Sequence, residues 1–299
     1  MANADLATLQ DIARWSRVQI LRMLTHAGSG HPGGSLSVID ILVALYFNRM
    51  RYDPARPTWE GRDRLVLSKG HCVPAQYCCM ARAGFFPESQ LVTLRKLGSP
   101  LQGHPDRVML PGIEAATGSL GQGLSVAVGM ALGLKLAGSA ARVYCVVGDG
   151  EVQEGQVWEA LMSAPTLGQP AHAPLDNLCV IMDYNGIQLD DHVKKILDLE
   201  PVVDKLRAFN WPVIDIDGHD LGQIDKALDQ AEATKGGPTF VVAHTVKGKG
   251  VSFMENDPEW HGKAPKPAEA VRGIREILGE PPPSWAAPIV AELDALGAK

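Results

Sequence analysis

The 299-residue sequence has no apolar run of the roughly 18–20 residues that a membrane-spanning helix requires, so it does not read as a membrane protein. Its first residues, MANADLATLQ, lack the basic stretch and apolar core of a secretion signal. Basic residues are not in excess: 28 Lys and Arg face 34 Asp and Glu, a formal charge of −6, which argues against nucleic-acid binding by bulk charge. There are only five cysteines (Cys72, Cys78, Cys79, Cys145, Cys179), none with metal-ligand spacing. Those in YCCM, VYCVVG and NLCVIM sit in apolar stretches, the pattern of buried, reduced thiols in a cytoplasmic protein. The sequence also lacks internal repeats and low-complexity tracts.

What is present is an alternation of helical and strand patterns, with 45% hydrophobic residues, enough to bury a substantial core. Residues 6–27 have helical apolar spacing and stop at Gly28-Ser29-Gly30; 38–47, 120–138 and 221–233 read as further helices. Residues 64–68, 143–147, 177–183, 213–217 and 239–245 read as strands. Apolar strands alternating with helices predict an α/β fold, a mainly parallel sheet flanked by helices, with ligands at the carboxyl ends of the strands. Pro281-Pro282-Pro283 marks a break, so one compact domain is expected over 1–280, with a tail over 281–299 carrying a short helix, IVAELDALG.

Gly148-Asp149-Gly150 and Asp183-Tyr184-Asn185-Gly186-Ile187 both follow apolar strands. Each by itself reads as a turn. At neighbouring strand ends they read as a diphosphate site. The glycines let the backbone approach closely, and Asp149 and Asn185 offer the hard oxygens that suit Mg²⁺ or Ca²⁺, with the Ile187 carbonyl as a third. Four of the nine histidines lie in Gly-rich loops: His31 in Ser29-Gly30-His31-Pro32-Gly33, His71 in Lys69-Gly70-His71, His104 in Gly103-His104-Pro105 and His261 in Trp260-His261-Gly262. Imidazoles so placed can donate to phosphate or sugar oxygens and move protons near neutral pH. His26, His172, His192, His219 and His244 lack that setting and are assigned structural or supporting roles. Thr117-Gly118-Ser119-Leu120-Gly121-Gln122-Gly123 does not follow a strand, so it is not a dinucleotide fingerprint; a loop contacting a heterocycle fits better. Lys247, Lys249 and Lys263, near His261, read equally as phosphate contacts or as a solvated charged loop.

Together these motifs resemble the thiamine diphosphate-binding N-terminal domain of transketolase, from about residue 10 to about residue 270. SGHPGGSLS, LSKGHC, GHPD, TGSLGQG, GDGEVQEG, DYNGIQLD and WHGK carry the resemblance in order. It implies the thiamine diphosphate-binding fold and a domain over 1–280 that binds thiamine diphosphate and Mg²⁺, with Ca²⁺ or Mn²⁺ as substitutes. Asp149, Asn185 and the Ile187 carbonyl would hold the metal. Gly150, His71, His261, Lys247 and Lys263 would line the diphosphate and thiazolium, and Gly118, Ser119 and Leu120 the aminopyrimidine side. His31, His71, His104 and His261 would surround the reacting carbon. Glu154 would belong to an acidic network linking paired cofactor sites.

The implied activity is transfer of a two-carbon ketol unit from a ketose phosphate to an aldose phosphate, as in the pentose phosphate pathway. In that family a second domain, which binds the pyrimidine, follows; this chain ends at Lys299 without it. The expectation is therefore a split enzyme, with a separate C-terminal subunit, an α2β2 heterotetramer and no activity of this chain alone. The alternatives are a subunit for an unusual ketose phosphate and a non-catalytic module that binds thiamine diphosphate. The α subunit of a 2-oxoacid dehydrogenase shares GDG…N but not the histidines, and 1-deoxyxylulose-phosphate synthase fits poorly because Pro32-Gly33 follows His31. One departure stands out: 36 positions (185 − 149) separate Asp149 from Asn185, more than the family has. The surplus, 164–177, contains Pro165, Pro170 and Pro174, which should end the preceding helix and form a surface loop.

Overall fold

A computed structural model describes residues 4–167 and 174–298. Along them run α1 (Leu6–Ala27), α2 (Pro32–Ala44), β1 (Arg64–Leu67), α3 (Val73–Arg82), α4 (Gln122–Leu136), β2 (Val143–Gly148), α5 (Gly155–Leu167) and β3 (Leu178–Tyr184). They are followed by α6 (Val193–Ile196), α7 (Val202–Ala208), β4 (Val213–Asp217), α8 (Leu221–Ala233), β5 (Thr239–His244), α9 (Pro267–Leu278) and α10 (Ala287–Gly297). The five strands form one parallel sheet in the order β1-β2-β3-β5-β4.

Alternation along each strand divides the core in two. Leu65, Leu67, Tyr144, Val146, Cys179, Ile181 and Val241 face one layer, with α1, α2, α3 and α8–α10. Val66, Val143, Cys145, Val147, Val180, Met182 and Val242 face the other, with α4, α5 and α7. Period-2 side-chain direction in strands buried on both faces produces this pattern. Helix α2 is buried along its whole length, as an all-round apolar helix must be. The edge strand β4, VIDID, is only partly buried.

Local signals explain most boundaries. Asp5 caps α1 by accepting from Thr8 N at 2.8 Å, and Gly28, at φ 65°, closes its other end. Asp220 caps α8 through Gly222 and Gln223 N–H groups.

Two expectations need correction. The helix expected over 38–47 begins at Pro32 and ends at Ala44, passing into a π-helical turn over Leu45–Arg49. Pro32 occupies the first turn, where its fixed φ and missing N–H cost nothing. Gly33 and Gly34 lie inside this helix, and glycine is required there because side chains would collide: a Cβ on Gly33 would lie 2.9 Å from Lys247 Cγ and from the Trp260 carbonyl. The second correction concerns Pro165, which does not end its helix; α5 continues to Leu167. Proline removes the N–H that would bond the carbonyl four residues earlier. That carbonyl, of Leu161, instead accepts from Trp211 Nε1 at 2.8 Å. The rest of the expected loop falls partly on 168–173, including Pro170 and His172, outside the described residues.

All five cysteines are buried and free. Among the described residues no helix is long and apolar enough to cross a membrane.

Candidate active site

Strand ends bring the quoted motifs together. Gly148 pairs in register with Asp183, so the turns after β2 and β3 lie side by side. Asp149 is buried; Oδ1 accepts from Gly150 N at 2.7 Å and Oδ2 from Gly186 N. Asn185 Oδ1 accepts from Ile187 N at 3.1 Å, and its Nδ2 points toward Asp183 Oδ2 at 3.3 Å. A cavity of about 440 Å³ opens over these turns.

Four imidazoles converge on the same cavity. His31 stands at the start of α2, His71 in the 3₁₀ turn after β1, His104 in the loop before α4, and His261 after the 3₁₀ turn Pro258–Trp260. Ring centroids are 5.1 Å apart for His31–His71, 5.4 Å for His31–His261, 5.0 Å for His71–His261 and 6.2 Å for His31–His104. Burial lowers each: His31 to about 4, with Arg95 adding to the effect; His261 to about 3, with Lys247 adding; His71 far below the usual value; and His104 below it, with Arg95 adding. All four are therefore neutral at pH 7, each with one donor and one acceptor nitrogen. His31 Nδ1 is buried with no hydrogen-bond partner among the described residues.

Lys247, buried beside them, donates to the Ile187 carbonyl at 3.0 Å and lies 2.7 Å from His261 Nδ1. Burial and the nearby Lys69 lower its pKa to about 8. Gly118, Leu120, Gly150 and Glu154 also line the cavity, Glu154 from an exposed position. Ser119 and Lys263 are not among its lining residues. Lys263 Nζ lies 4.6 Å from the Trp260 ring centroid and 3.5 Å from Glu259.

The donor set suits a divalent cation and a diphosphate. Asp149, Asn185 and Ile187 offer hard oxygens on adjoining turns. Burial, reinforced by Asp183, raises the Asp149 carboxyl to about 6. A divalent charge at that point would offset the desolvation. The unpartnered His31 nitrogen and the Lys247 ammonium supply donors for an anion. The residues fit both groups.

Three buried residues of the site were not singled out from sequence. Lys69 and Asp183 form an ion pair, 2% and 0% exposed respectively. Burial opposes both charges; mutual attraction outweighs it, raising Lys69 and lowering Asp183. The lysine reaches Asp183 over Gly148, where an added Cβ would touch Lys69 Cδ at 3.5 Å. Asp183 also accepts from Ser37 Oγ at 2.6 Å and from Thr245 Oγ1. Glu151 joins three loops, accepting from Ser68 Oγ, Gly121 N (2.9 Å) and Gly148 N (3.1 Å). Lys69 and Asp183 stand inside quoted motifs, but nothing local signals a pairing across 114 positions.

Comparison with known proteins agrees with this geometry. The family described as transketolase, thiamine diphosphate binding domain, matches residues 9–293. The chain is 46% identical over 247 residues to the 6-deoxy-6-sulfo-D-fructose transketolase subunit SqwG of Clostridium sp. (strain MSTE9), covering 83% of this chain and 88% of that protein. It is 38% identical over 273 residues to one of the subunits of the apulose-4-phosphate transketolase of Phocaeicola vulgatus, covering 91% and 95%. Among solved structures, transketolase from Leishmania mexicana superimposes with a TM-score of 0.86 at 29% identity, over 99% of this chain and 45% of that one. The chain thus spans less than half the length of that solved transketolase.

Proposed function

The chain belongs to the transketolase family through its thiamine diphosphate-binding domain, and on that premise we propose that it is one subunit of a two-chain ketol transferase. The observation that carries the proposal is the convergence of four neutral imidazoles on a cavity floored by Asp149 and Asn185. In this reading Asp149, Asn185 and the Ile187 carbonyl hold Mg²⁺ against the cofactor diphosphate. Gly150, His71, His261, Lys247 and Lys263 serve the diphosphate and thiazolium, and Gly118, Ser119 and Leu120 the aminopyrimidine. Thiamine diphosphate, when bound, supplies a carbon that can carry negative charge during cleavage of a ketose.

The residues of the chain do the rest. His31, His71, His104 and His261 orient sugar hydroxyls and take or give protons at them, each neutral ring able to do either. Loop glycines let rings and backbone approach closely, and burial excludes water and strengthens each hydrogen bond. Glu154, at the exposed side of the cavity, links paired sites and faces a neighbouring subunit.

Two relatives matched over 88% and 95% of their length are named as subunits, which supports a separate partner chain carrying the pyrimidine-binding domain. Two copies of each chain, a cytoplasmic location and a role in pentose phosphate interconversion complete the proposal. The domain that acts extends to about residue 280, with 281–299 as its tail. The relatives named for 6-deoxy-6-sulfo-D-fructose and apulose-4-phosphate favour a second reading of specificity, an unusual ketose with an anionic end.

Co-expression with a candidate chain carrying the pyrimidine domain, followed by assay of a ketose and aldose phosphate panel, tests the proposal. Turnover by the pair, and none by either chain alone, is expected. Robust turnover by this chain alone would overturn the split, and a pair that turns over only unusual ketoses would establish the second reading.

A further inference from the structure

His219 lies in the turn between β4 and α8, outside the cavity lining, with 13% of its side chain exposed. Its Nδ1 is 2.7 Å from Asp40 Oδ2 on α2, and its Nε2 is 2.8 Å from Val246 N. A backbone N–H only donates, so Nε2 must accept. The proton of the neutral ring is then on Nδ1 and points at Asp40. Asp40 is buried and held in turn by Arg17 of α1, with two nitrogen–oxygen contacts of 3.0 and 2.6 Å. Arg17 Nε also donates to the Lys249 carbonyl at 3.2 Å.

The network therefore grips the segment after β5 at Val246 and at Lys249, on either side of Lys247. Gly248 N, donating to the Gly33 carbonyl at 2.9 Å, ties the same segment to α2. The Lys247 side chain enters the cavity from this anchored backbone and reaches His261 and the Ile187 carbonyl. A four-carbon stem with a mobile ammonium has no fixed direction of its own. Its backbone must supply one.

We propose that His219, locked in its Nδ1–H form by Asp40 and Arg17, is a positioning residue that acts through Val246 to hold Lys247 in the cavity. The comparison that isolates this role is between two replacements. H219N retains a group near Nδ1 that can face Asp40 but does not reach Val246. H219Q places an amide oxygen near Nε2, where it can accept from Val246 N–H.

Hydrogen exchange on the whole chain gives the first readout. Exchange at Val246 and Gly248 should quicken at least tenfold in H219N and stay near wild type in H219Q, with other core amides unchanged. Equal effects of the two replacements, or none, would overturn the proposal. The second readout is thiamine diphosphate affinity with Mg²⁺, which H219N should weaken about tenfold, the scale typical of groups that orient a ligand-binding side chain. In a K247A background the same replacement should cost less than twofold, since the residue it acts through is gone. An undiminished cost there would also overturn it.

Only the affinity readout rests on the reading of the cavity as a cofactor site. If the wild-type chain bound no thiamine diphosphate, that reading would fail while hydrogen exchange still decided the role of His219. A third measurement needs no replacement: the nitrogen-15 shifts of His219 in the wild-type chain should show an unprotonated Nε2. A protonated Nε2 at neutral pH would refute the proposal even if H219N did not fold.

Discussion

At the scale of single residues, the site sets charge against burial. Asp183 is fully buried, and its carboxylate accepts from Ser37, Thr245 and Asn185 as well as facing Lys69. Lys69 has no other ion pair among the described residues. Removing one partner of a buried pair typically costs about 3–5 kcal/mol, because the survivor is left uncompensated. The two halves are not equivalent here. K69M leaves a carboxylate that retains three donors, whereas D183N leaves a buried ammonium with no ion-pair partner, its remaining counter-charges, Asp149 and Glu151, lying beyond ion-pair distance. D183N should therefore lower the urea midpoint more than K69M, and the reverse order would show that the hydrogen bonds to Asp183 contribute little. His104 permits a test of chemistry. Its ring is the outermost of the four, 6.2 Å from His31. H104A in the reconstituted pair should lower kcat about 100-fold, the scale of one lost proton donor or acceptor, with cofactor affinity changed less than threefold. A non-catalytic module would show no such loss. The gathering of these groups at one cavity was legible in the sequence because histidines, glycines, Asp149 and Asn185 cluster in short motifs. The Lys69–Asp183 pair was not, since it depends on β1, β2 and β3 being neighbours and on Gly148 leaving room between them.

At the scale of elements, local rules succeeded where local energetics decide. Helix α1 ends where Gly28 takes a left-handed conformation, and α8 starts at the Asp220 cap, as the spacing predicts. They failed where a distant residue intervenes. Pro165 should stop α5, and it does deprive the Leu161 carbonyl of its helical partner. Trp211, 50 positions away, donates to that carbonyl instead. No window around Pro165 contains this information. The start of α2 was obscured for a related reason: Gly33 and Gly34 look like loop residues, yet tertiary crowding by Lys247, Trp260 and Cys72 requires glycine there. The Trp211 bond predicts a compensation. W211F should destabilise the protein by about 1–3 kcal/mol, the cost of leaving a buried polar group unpaired. Adding P165A restores an N–H four residues after Leu161. W211F/P165A should therefore recover part of the loss in urea unfolding. A double variant no more stable than W211F would show that the carbonyl is satisfied in another way.

At the scale of the whole molecule, the cavity joins segments from both ends of the chain, from His31 to His261, so ligand binding and folding must be coupled. A ligand that binds only the folded chain stabilises it by about 2.7 kcal/mol at a free concentration 100-fold above Kd. For a chain of this size that is a rise in Tm on the order of 5 °C. Thiamine diphosphate and Mg²⁺ together should give such a rise with millimolar cofactor, and a chelator should remove most of it. The effect should also depend on pH with a defined sign. Burial, with Asp183 beside it, raises the Asp149 carboxyl from its ordinary range to about 6, so between roughly pH 4 and 6 the folded apo chain holds a proton that the unfolded chain has lost. That term favours the folded apo chain at low pH and fades as pH rises through the window. Cation binding has the opposite trend, because a carboxylate must release its proton to serve as a ligand. With the carboxyl at about 6, about a tenth of it is ionised at pH 5, so the ligand-induced rise in Tm should be full at pH 7.5 and fall to roughly half at pH 5. A rise equal at both pH values, or one that survives chelation, would mean that Asp149 holds no cation and that the diphosphate is bound by the lysine and imidazole groups alone.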